Sequence, residues 1–257
     1  MRAAPPSSQE GPEALGTFYE GQDLDALVEM PRYQDWVLET FRSHLFGNVL
    51  EVGAGIGNIA AMYADSVDRL LLVEPAKNLQ ERLERRFADK KHVRVRCAFL
   101  DDLASGDRSS EPVAAAFDAV VLVNVLEHVQ DDAAMLSSIF RLVRPGGTLL
   151  LFVPALQWLY GALDRRVGHH RRYSASGLNS ILNRAGFRPE VMQYFDFLGM
   201  LPWLIAGRVL RQAKYSRIAA LLYDRLVVPI ARRIERWIPP PLGKNLICVA
   251  RRPALTA

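Results

Sequence analysis

Five short apolar runs alternate with helical stretches over residues 48–155 of this 257-residue chain. Every one of these runs contains valine, and their length and composition are typical of strands buried on both faces of a parallel sheet. The runs are Val49–Val52, Leu70–Val73, Val93–Ala98, Ala119–Val123 and Thr148–Val153. Because strands that alternate with helices connect through right-handed crossovers, the pattern predicts an α/β fold with a doubly wound, Rossmann-like sheet.

Beyond Val153 the alternation gives way to an irregular stretch, residues 154–173, and then to a helix predicted near Ser176–Ala185. Val191–Phe197 and Asn245–Ala250 are predicted to be two further strands, separated by a mainly helical, Arg-rich stretch. The sequence therefore predicts a seven-stranded mixed sheet with a helical insertion before the last strand.

The chain is expected to divide into five regions. They are a flexible leader (residues 1–16), an N-terminal helical cap (17–47), an α/β core (48–196), a helical basic insertion (197–242), and the last strand with a tail (243–257). The leader has no apolar core of the kind a signal peptide needs. The apolar run at residues 197–207 is too short to span a bilayer.

The cysteine content and the distribution of charge indicate the surroundings in which the protein works. The two cysteines, Cys97 and Cys248, lie far apart, so neither a disulfide framework nor a Cys-based zinc site is indicated, and we expect a cytoplasmic location. The formal net charge is +4, and residues 200–257 carry 11 Lys and Arg against two acidic residues. The positive charge therefore belongs to the C-terminal part of the chain.

Three glycines at alternate positions, Gly53, Gly55 and Gly57, follow the first predicted strand. Glycine lets the backbone adopt positive φ and lets a ligand approach without meeting a Cβ atom. The helix expected to begin near Asn58 would present free N–H groups and a positive dipole end. This loop is therefore predicted to bind an anionic or carboxylate-bearing ligand.

Glu74 ends the second predicted strand, where a doubly wound sheet places its carboxylate beside the glycine loop and within reach of both hydroxyls of a ribose. More than one class of nucleoside cofactor could bind to a glycine loop and carboxylate arranged in this way, and dinucleotides are one such class. A dinucleotide-binding loop requires its third glycine at position 58, which is Asn58 here, and this argues against a nicotinamide-dependent oxidoreductase.

The segment Glu51–Gly57, taken with Glu74, resembles the S-adenosylmethionine loop of class I methyltransferases. Asn124–Val129 and Arg144–Gly147 extend the resemblance along the chain. Further segments are similar to a bacterial subgroup of that family often found beside sugar- or lipid-processing genes: Val153–Ala155, Asp164, Gly168-His169-His170-Arg171-Arg172-Tyr173, Asp224 with Pro229, and Leu242–Leu246. The resemblance covers roughly residues 17–252 and implies S-adenosylmethionine as the cofactor.

Carried over residue by residue, the resemblance implies specific cofactor contacts. Gly53, Gly55 and Gly57 would line the methionine and ribose side, Glu51 would orient the amino group, and Glu74 would bind the ribose hydroxyls. Asn124 would face the cofactor at the end of the fourth strand. Asp101 is the candidate for the adenine contact, although the usual position just after the third strand holds Ala98-Phe99.

Methyl transfer to a hydroxyl is helped by a general base, and histidine has a suitable pKa. His128 follows the fourth strand near the predicted cleft, with a structural or positioning role as its alternative. His169 is the second candidate base, and Asp164 would orient its imidazole. The alternative for His169 is that it only fills space in the loop.

His170, Arg171 and Tyr173 are candidate substrate contacts, because an arginine can hold a carboxylate or phosphate bidentately. The alternative is that Arg171, Arg172 and Tyr173 pin the loop. Around His128 the chain also resembles a metal-binding Glu-x-x-Glu-His pattern of some ubiquinone-pathway O-methyltransferases. Asn124 replaces the first Glu of that pattern, so we predict no metal.

The basic insertion has apolar residues at helical spacing with arginines between them, which predicts an amphipathic helix. Three interpretations stay open: a lid over the substrate, a homodimer surface, or a face resting on anionic lipid at the inner membrane face. Nucleic acid is not expected as a partner, because the basic residues come with large apolar ones.

The sequence thus predicts a class I methyltransferase acting on a hydroxyl or carboxyl oxygen of a small-molecule or lipid- or sugar-linked acceptor. N-methylation of a small molecule is the first alternative. A non-catalytic partner that binds S-adenosylmethionine and a nicotinamide-dependent oxidoreductase are the alternatives from other classes.

Overall fold

A computed structural model describes residues 28–100, 116–206 and 216–254. It contains a single sheet of seven strands in the order β3-β2-β1-β4-β5-β7-β6. The strands are β1 (Asn48–Val52), β2 (Arg69–Val73), β3 (Val93–Arg96), β4 (Phe117–Val123), β5 (Val143–Pro154), β6 (Arg188–Phe195) and β7 (Asn245–Arg251). The first five are parallel, and β7 runs antiparallel between β5 and β6. The predicted seven-stranded mixed sheet is confirmed.

The strand order reverses beside β1, which pairs with β2 on one side and with β4 on the other. Val52 at the end of β1 lies opposite Val73 of β2 and Leu122 of β4. In open α/β sheets, ligands bind outside the carboxyl ends of the strands at such a switch point. The glycine loop, which follows β1, therefore lies at the expected ligand crevice.

Helices cover both faces of the sheet. They are α1 (Pro31–Phe41), α2 (Ala60–Tyr63), α3 (Lys77–Arg86), α4 (Asp132–Leu142), α5 (Ala162–Arg166), α6 (Ala175–Arg184), α7 (Met200–Leu204), α8 (Arg217–Leu222) and α9 (Val228–Trp237). On one face, α4 and α6 bury their apolar sides in a core cluster with Leu50 and Leu122. On the other face, α1, α3 and α9 pack in a second cluster with Val49 and Val121.

Several element boundaries differ from the sequence prediction. The sixth strand spans Arg188–Phe195 instead of Val191–Phe197. The third strand ends at Arg96, and α2 begins only at Ala60 and lasts four residues. The fifth strand begins at Val143 instead of Thr148. The reason is that Gly146 and Gly147 exchange backbone hydrogen bonds with Arg252, so the ladder with the end of the chain continues through them.

Some sequence expectations lie outside the described residues, namely the leader and the arginines between positions 207 and 215. Within the described ranges, no helix has the length and hydropathy that a bilayer crossing requires.

Candidate functional site

A cavity of about 810 Å³ lies against the carboxyl ends of β1, β2, β4 and β5. Its walls are mainly apolar, and α1, α7 and α8 contribute residues to the side away from the sheet. A volume of this size is in the range of pockets that hold cofactors or other small molecules. Seven of the predicted site residues line it: Glu51, Gly53, Gly55, Glu74, Asn124, His128 and His169.

The glycine loop has the backbone conformation that the sequence predicted. All three glycines have positive φ, +68° at Gly53, +57° at Gly55 and +74° at Gly57. A Cβ atom on Gly53 would lie 2.6 Å from a methyl group of Val125, so only glycine fits there. Gly57 differs from the prediction: it packs against Leu83 and Phe87 of α3 and does not line the cavity.

The Glu74 carboxylate is tied to the glycine loop. Its Oε2 accepts a hydrogen bond from the Gly55 N–H at 2.8 Å, and its Oε1 accepts one from the Ala76 N–H at 3.0 Å. Burial raises the pKa of this carboxyl, while the two backbone hydrogen bonds oppose the rise. Each oxygen keeps a lone pair, so the carboxylate can accept further hydrogen bonds from a ligand in the cavity.

Glu51 is buried at the end of β1 and also lines the cavity. Its Oε2 accepts a hydrogen bond from the Tyr63 hydroxyl at 2.6 Å. Burial raises the pKa of Glu51 to about 7, and the hydrogen bond from Tyr63 opposes this. A cationic ligand group beside Glu51 would therefore favour the ionised carboxylate.

Asn124 lies at the end of β4 with φ +54°, a left-handed conformation that is uncommon outside glycine. Its N–H donates to the Phe152 carbonyl at 2.8 Å, and the residue faces the cavity. Asp101, the candidate adenine contact, lies outside the described residues. The cavity wall just before it consists of Ala98, Phe99 and Leu100.

Asp164 holds His169 in place. The Nδ1 atom of His169 lies 3.0 Å from Asp164 Oδ1, and the same oxygen accepts a hydrogen bond from Arg172 Nε at 2.9 Å. Gly161 donates to the other oxygen. Burial disfavours the charge on Asp164, but the hydrogen bond from His169 and the charge of Arg172 hold its pKa below the usual range. Asp164 is therefore an ionised carboxylate that accepts a hydrogen bond from the Nδ1–H of His169.

Glu127, His128 and His169 form a compact group whose ligand atoms lie within 4.8 Å of one another. Neither carboxyl oxygen of Glu127 is hydrogen-bonded to another residue of the described chain, and Oε1 lies 3.7 Å from His169 Nε2. Burial raises the pKa of Glu127 to about 8. Burial, with the charges of His169 and His170, lowers the pKa of His128 to about 4. At neutral pH the carboxyl is protonated and the His128 imidazole is neutral.

The structure places the three candidate substrate contacts, His170, Arg171 and Tyr173, outside the cavity lining. Arg171 pairs with Asp132 at 2.9 Å and donates to the Gln130 carbonyl. The Tyr173 hydroxyl contacts Asp132 Oδ2 at 3.1 Å. These interactions correspond to the loop-pinning alternative, because the polar groups of both side chains are used within the fold.

Sequence reasoning missed a cationic end of the cavity. Lys244, just before β7, lines the cavity and pairs with Asp196 at 2.8 Å, while its ammonium lies 4.9 Å from the centre of the Tyr33 ring. The Arg172 guanidinium lies 4.8 Å from the Trp203 ring. The residues that form this end of the cavity are far apart in the sequence and meet only in the folded protein. Gly243, beside Lys244, packs so closely that a Cβ atom there would lie 2.5 Å from the Phe195 backbone.

A family model described as a methyltransferase domain matches residues 27–190. The chain belongs to this methyltransferase domain family. The match covers the glycine loop, Glu74 and the segment through His169, so the resemblance inferred from the sequence is confirmed for family and fold. It does not bear on the bacterial subgroup.

Two relatives and two solved structures illustrate the family. A Mycolicibacterium smegmatis protein described as a probable S-adenosylmethionine-dependent methyltransferase is 32% identical over 146 residues, which are 56% of this chain and 52% of that protein. A ubiquinone biosynthesis O-methyltransferase of Methylocella silvestris is 36% identical over 111 residues, 42% of this chain and 39% of that enzyme. The match thus spans about half the length of the first relative and less of the second.

Among solved structures, a SAM-dependent methyltransferase of Archaeoglobus fulgidus superposes with a TM-score of 0.58 at 14% identity, covering 90% of this chain and 100% of that chain. An N-methyltransferase of Bradyrhizobium japonicum, solved with S-adenosyl-L-homocysteine, gives a TM-score of 0.55 at 16% identity and covers 86% of each chain. At these identities the likeness establishes a common fold.

Proposed function

We propose that this protein is an S-adenosylmethionine-dependent methyltransferase that methylates a hydroxyl or carboxyl oxygen of a small-molecule or lipid- or sugar-linked acceptor. One observation carries the proposal: the glycine loop with Glu74 and the Asp164-held imidazole of His169 line the same cavity. Methyl transfer to a hydroxyl oxygen uses a bound, oriented cofactor and a general base close to the acceptor.

The residues present fit S-adenosylmethionine. The cofactor, when bound, supplies a methyl group already activated by its sulfonium charge. Gly53 and Gly55 keep the backbone free of Cβ atoms, Glu74 offers carboxylate lone pairs for ribose hydroxyls, and Glu51 offers a carboxylate for the amino group. Asn124 completes this side of the cavity.

His169 is the proposed general base. Asp164 accepts a hydrogen bond from Nδ1, which leaves the lone pair on Nε2 to take the proton of an acceptor hydroxyl. His128, whose ring centre lies 4.7 Å from that of His169, is proposed as a positioning residue, because a pKa of about 4 makes its imidazole a weak base.

N-methylation is the second candidate, and one contact favours it. The Nε2 atom of His169 lies 3.7 Å from the protonated Glu127 carboxyl, which competes with an acceptor for the same lone pair. An amine acceptor with a free lone pair needs no base. Under this alternative, the imidazole would have a structural role only.

The test uses methyl-labelled S-adenosylmethionine with extracts of metabolites and lipids as acceptors. We expect labelled products that are not retained by cation exchange, and mild alkali separates esters from ethers. His169→Gln should lower the rate by roughly 10²–10⁴-fold, the usual contribution of a general base, while leaving cofactor affinity unchanged. His170→Gln is the matched control, because His170 lies outside the cavity lining and should keep a near-normal rate.

Labelled amines as the main product, with His169→Gln near the wild-type rate, would contradict oxygen methylation and favour the alternative. The absence of any labelled product from wild-type protein that binds the cofactor would favour a non-catalytic partner.

A further inference from the structure

An apolar stripe lies on the outside of the helical segment that precedes β7. It consists of Ile218, Leu222, Leu226, Ile230, Ile234, Trp237 and Ile238, all exposed. Trp237 is 80% exposed and Ile218 is 72% exposed. Among the described residues, 12 of the 16 exposed large apolar side chains fall within positions 197–242. Concentrated apolar surface of this kind marks an interaction site.

The helical geometry keeps the stripe on one side. Helix α8, a π-helical turn (Tyr223–Val227) and α9 follow one another without a break. In an α-helix, positions four residues apart drift round the axis by roughly 40° at each step. The wider winding of the π-helical turn offsets part of this drift. The apolar residues at intervals of four, from Ile218 to Ile234, therefore share one face.

The opposite face of the same segment is fixed to the body of the protein. The Asp224 carboxylate accepts hydrogen bonds from the N–H groups of Arg32 and Tyr33. The Glu235 carboxylate accepts hydrogen bonds from the N–H groups of Asp196 and Phe197. The stripe is thus the outer side of an anchored helix.

The segment also forms a wall of the cavity. Ala219, Ala220 and Tyr223 line the cavity from α8 and the turn that follows it. The apolar stripe is therefore the outer surface of the element whose inner surface faces the proposed acceptor. A surface that receives the stripe would lie next to the catalytic cavity.

The exposed charge beside the stripe is positive. Arg225 and Arg233 are exposed and form no ion pair within the ranges that the structure describes. Both acidic residues of the segment, Asp224 and Glu235, are buried on the anchored face. The stripe and the arginines beside it are complementary to a partner that has a negatively charged surface and an apolar interior.

We propose that the stripe docks on an anionic lipid bilayer, with the apolar side chains entering the interface and the arginines contacting lipid headgroups. Amphipathic helices with arginines on the polar side bind in this way. Tryptophan is enriched at the boundary between headgroups and acyl chains, where Trp237 would lie.

Charge decides between a bilayer and a second copy of this chain. A self-contact through the stripe would bring Arg225 and Arg233 of two molecules together without an exposed acidic residue of the segment to compensate them. Anionic headgroups supply that compensation. A bilayer is therefore the occupant that the charges favour.

The test is cosedimentation of the full chain with vesicles of phosphatidylglycerol and phosphatidylcholine, compared with vesicles of phosphatidylcholine alone. We expect binding to the anionic vesicles that weakens as salt is raised. Arg225→Gln combined with Arg233→Gln should weaken binding roughly tenfold or more, because each arginine contributes near the membrane surface. Arg94→Gln with Arg184→Gln removes two exposed arginines elsewhere and should leave binding unchanged.

The apolar contribution is tested by Ile230→Ser combined with Trp237→Ser, which should also weaken binding by at least tenfold. Phe46→Ser is the control, because Phe46 is comparably exposed and lies outside the stripe. All these side chains are exposed, and unchanged unfolding temperatures verify that the variants fold.

Failure of the wild type to bind anionic vesicles at low salt would overturn the proposal, as would binding that neither double variant weakens. A dimer in light scattering that Trp237→Ser disperses, without vesicle binding, would overturn it in favour of a second copy. Vesicle binding is measured without cofactor or turnover. A protein that does not bind vesicles could therefore still transfer methyl groups, and a protein without methyltransferase activity could still bind vesicles.

Discussion

At the scale of single residues, the buried carboxyl groups in and beside the cavity differ in their pKa values. Burial raises the pKa of Glu51 to about 7 and that of Glu127 to about 8. Asp164 is also buried but has a lowered pKa, because His169 and Arg172 compensate its charge. Neighbouring carboxyls thus hold different protonation states at neutral pH, which is the usual arrangement at sites that move protons.

Glu127 should make the stability of the protein depend on pH. The pKa of Glu127 is about 8 in the folded protein and near 4.5 in the unfolded chain, so the folded state holds the proton more tightly. Stability is therefore expected to fall as pH rises through this window and to level off above it. Glu127→Gln cannot ionise, so its stability relative to wild type should be greater above pH 8 than at pH 5, by about 4 kcal/mol.

Thermal unfolding from pH 5 to 9 measures this difference, which corresponds to roughly 8–16 °C for a chain of this length. Glu84→Gln on the exposed side of α3 is the control and should follow the wild-type profile. Parallel profiles for wild type and Glu127→Gln would show that Glu127 ionises normally in the folded protein.

At the scale of elements, one carboxylate links two distant helical segments. Asp224, in the π-helical turn between α8 and α9, accepts hydrogen bonds from the Tyr33 N–H at 2.8 Å and the Arg32 N–H at 3.3 Å. These are free N–H groups of the first turn of α1, whose own N-cap residue, Met30, provides no side-chain cap. Asp224 therefore caps α1 from nearly 200 residues away.

Asp224→Ala should destabilise the protein by about 2 kcal/mol, because it leaves two N–H groups without their charged acceptor. We expect a fall of roughly 4–8 °C in the unfolding temperature. Asp131→Ala removes the exposed N-cap of α4, a local cap that accepts from the Ala134 N–H, and should cost about half as much. An equal or smaller loss for Asp224→Ala would show that the long-range cap contributes little.

Local signals account for the elements that the sequence predicted well. The apolar runs became β1, β2 and β4 within two residues of their expected bounds, and Asp131 caps α4 locally. The start of β5 was missed because its extension depends on pairing with Arg252, more than 100 residues later. Backbone hydrogen bonds to such a distant residue produce no pattern of apolar and polar residues around Gly146.

At the scale of the whole molecule, the sequence predicted the glycine-loop side of the cavity better than the side formed by Lys244 and Arg172. The glycine loop and Glu74 are separated by one strand and one short helix, so their juxtaposition follows from the sheet topology. Lys244 and Asp196 meet only when β6 and β7 pair, and Arg172 is buried in an ion pair with Asp164. Tertiary pairing, not local pattern, determines that end of the cavity.

We propose that the glycine loop and Glu74 hold S-adenosylmethionine, and isothermal titration calorimetry can measure this binding. We predict that the wild-type chain binds both this cofactor and its demethylated product, S-adenosylhomocysteine. Glu74→Gln should weaken both affinities by about 10–100-fold, the effect of losing hydrogen bonds to a charged group, while Glu81→Gln on the exposed side of α3 should bind as wild type does. If correctly folded protein gives no heat of binding with either molecule, the glycine loop and Glu74 do not hold this cofactor.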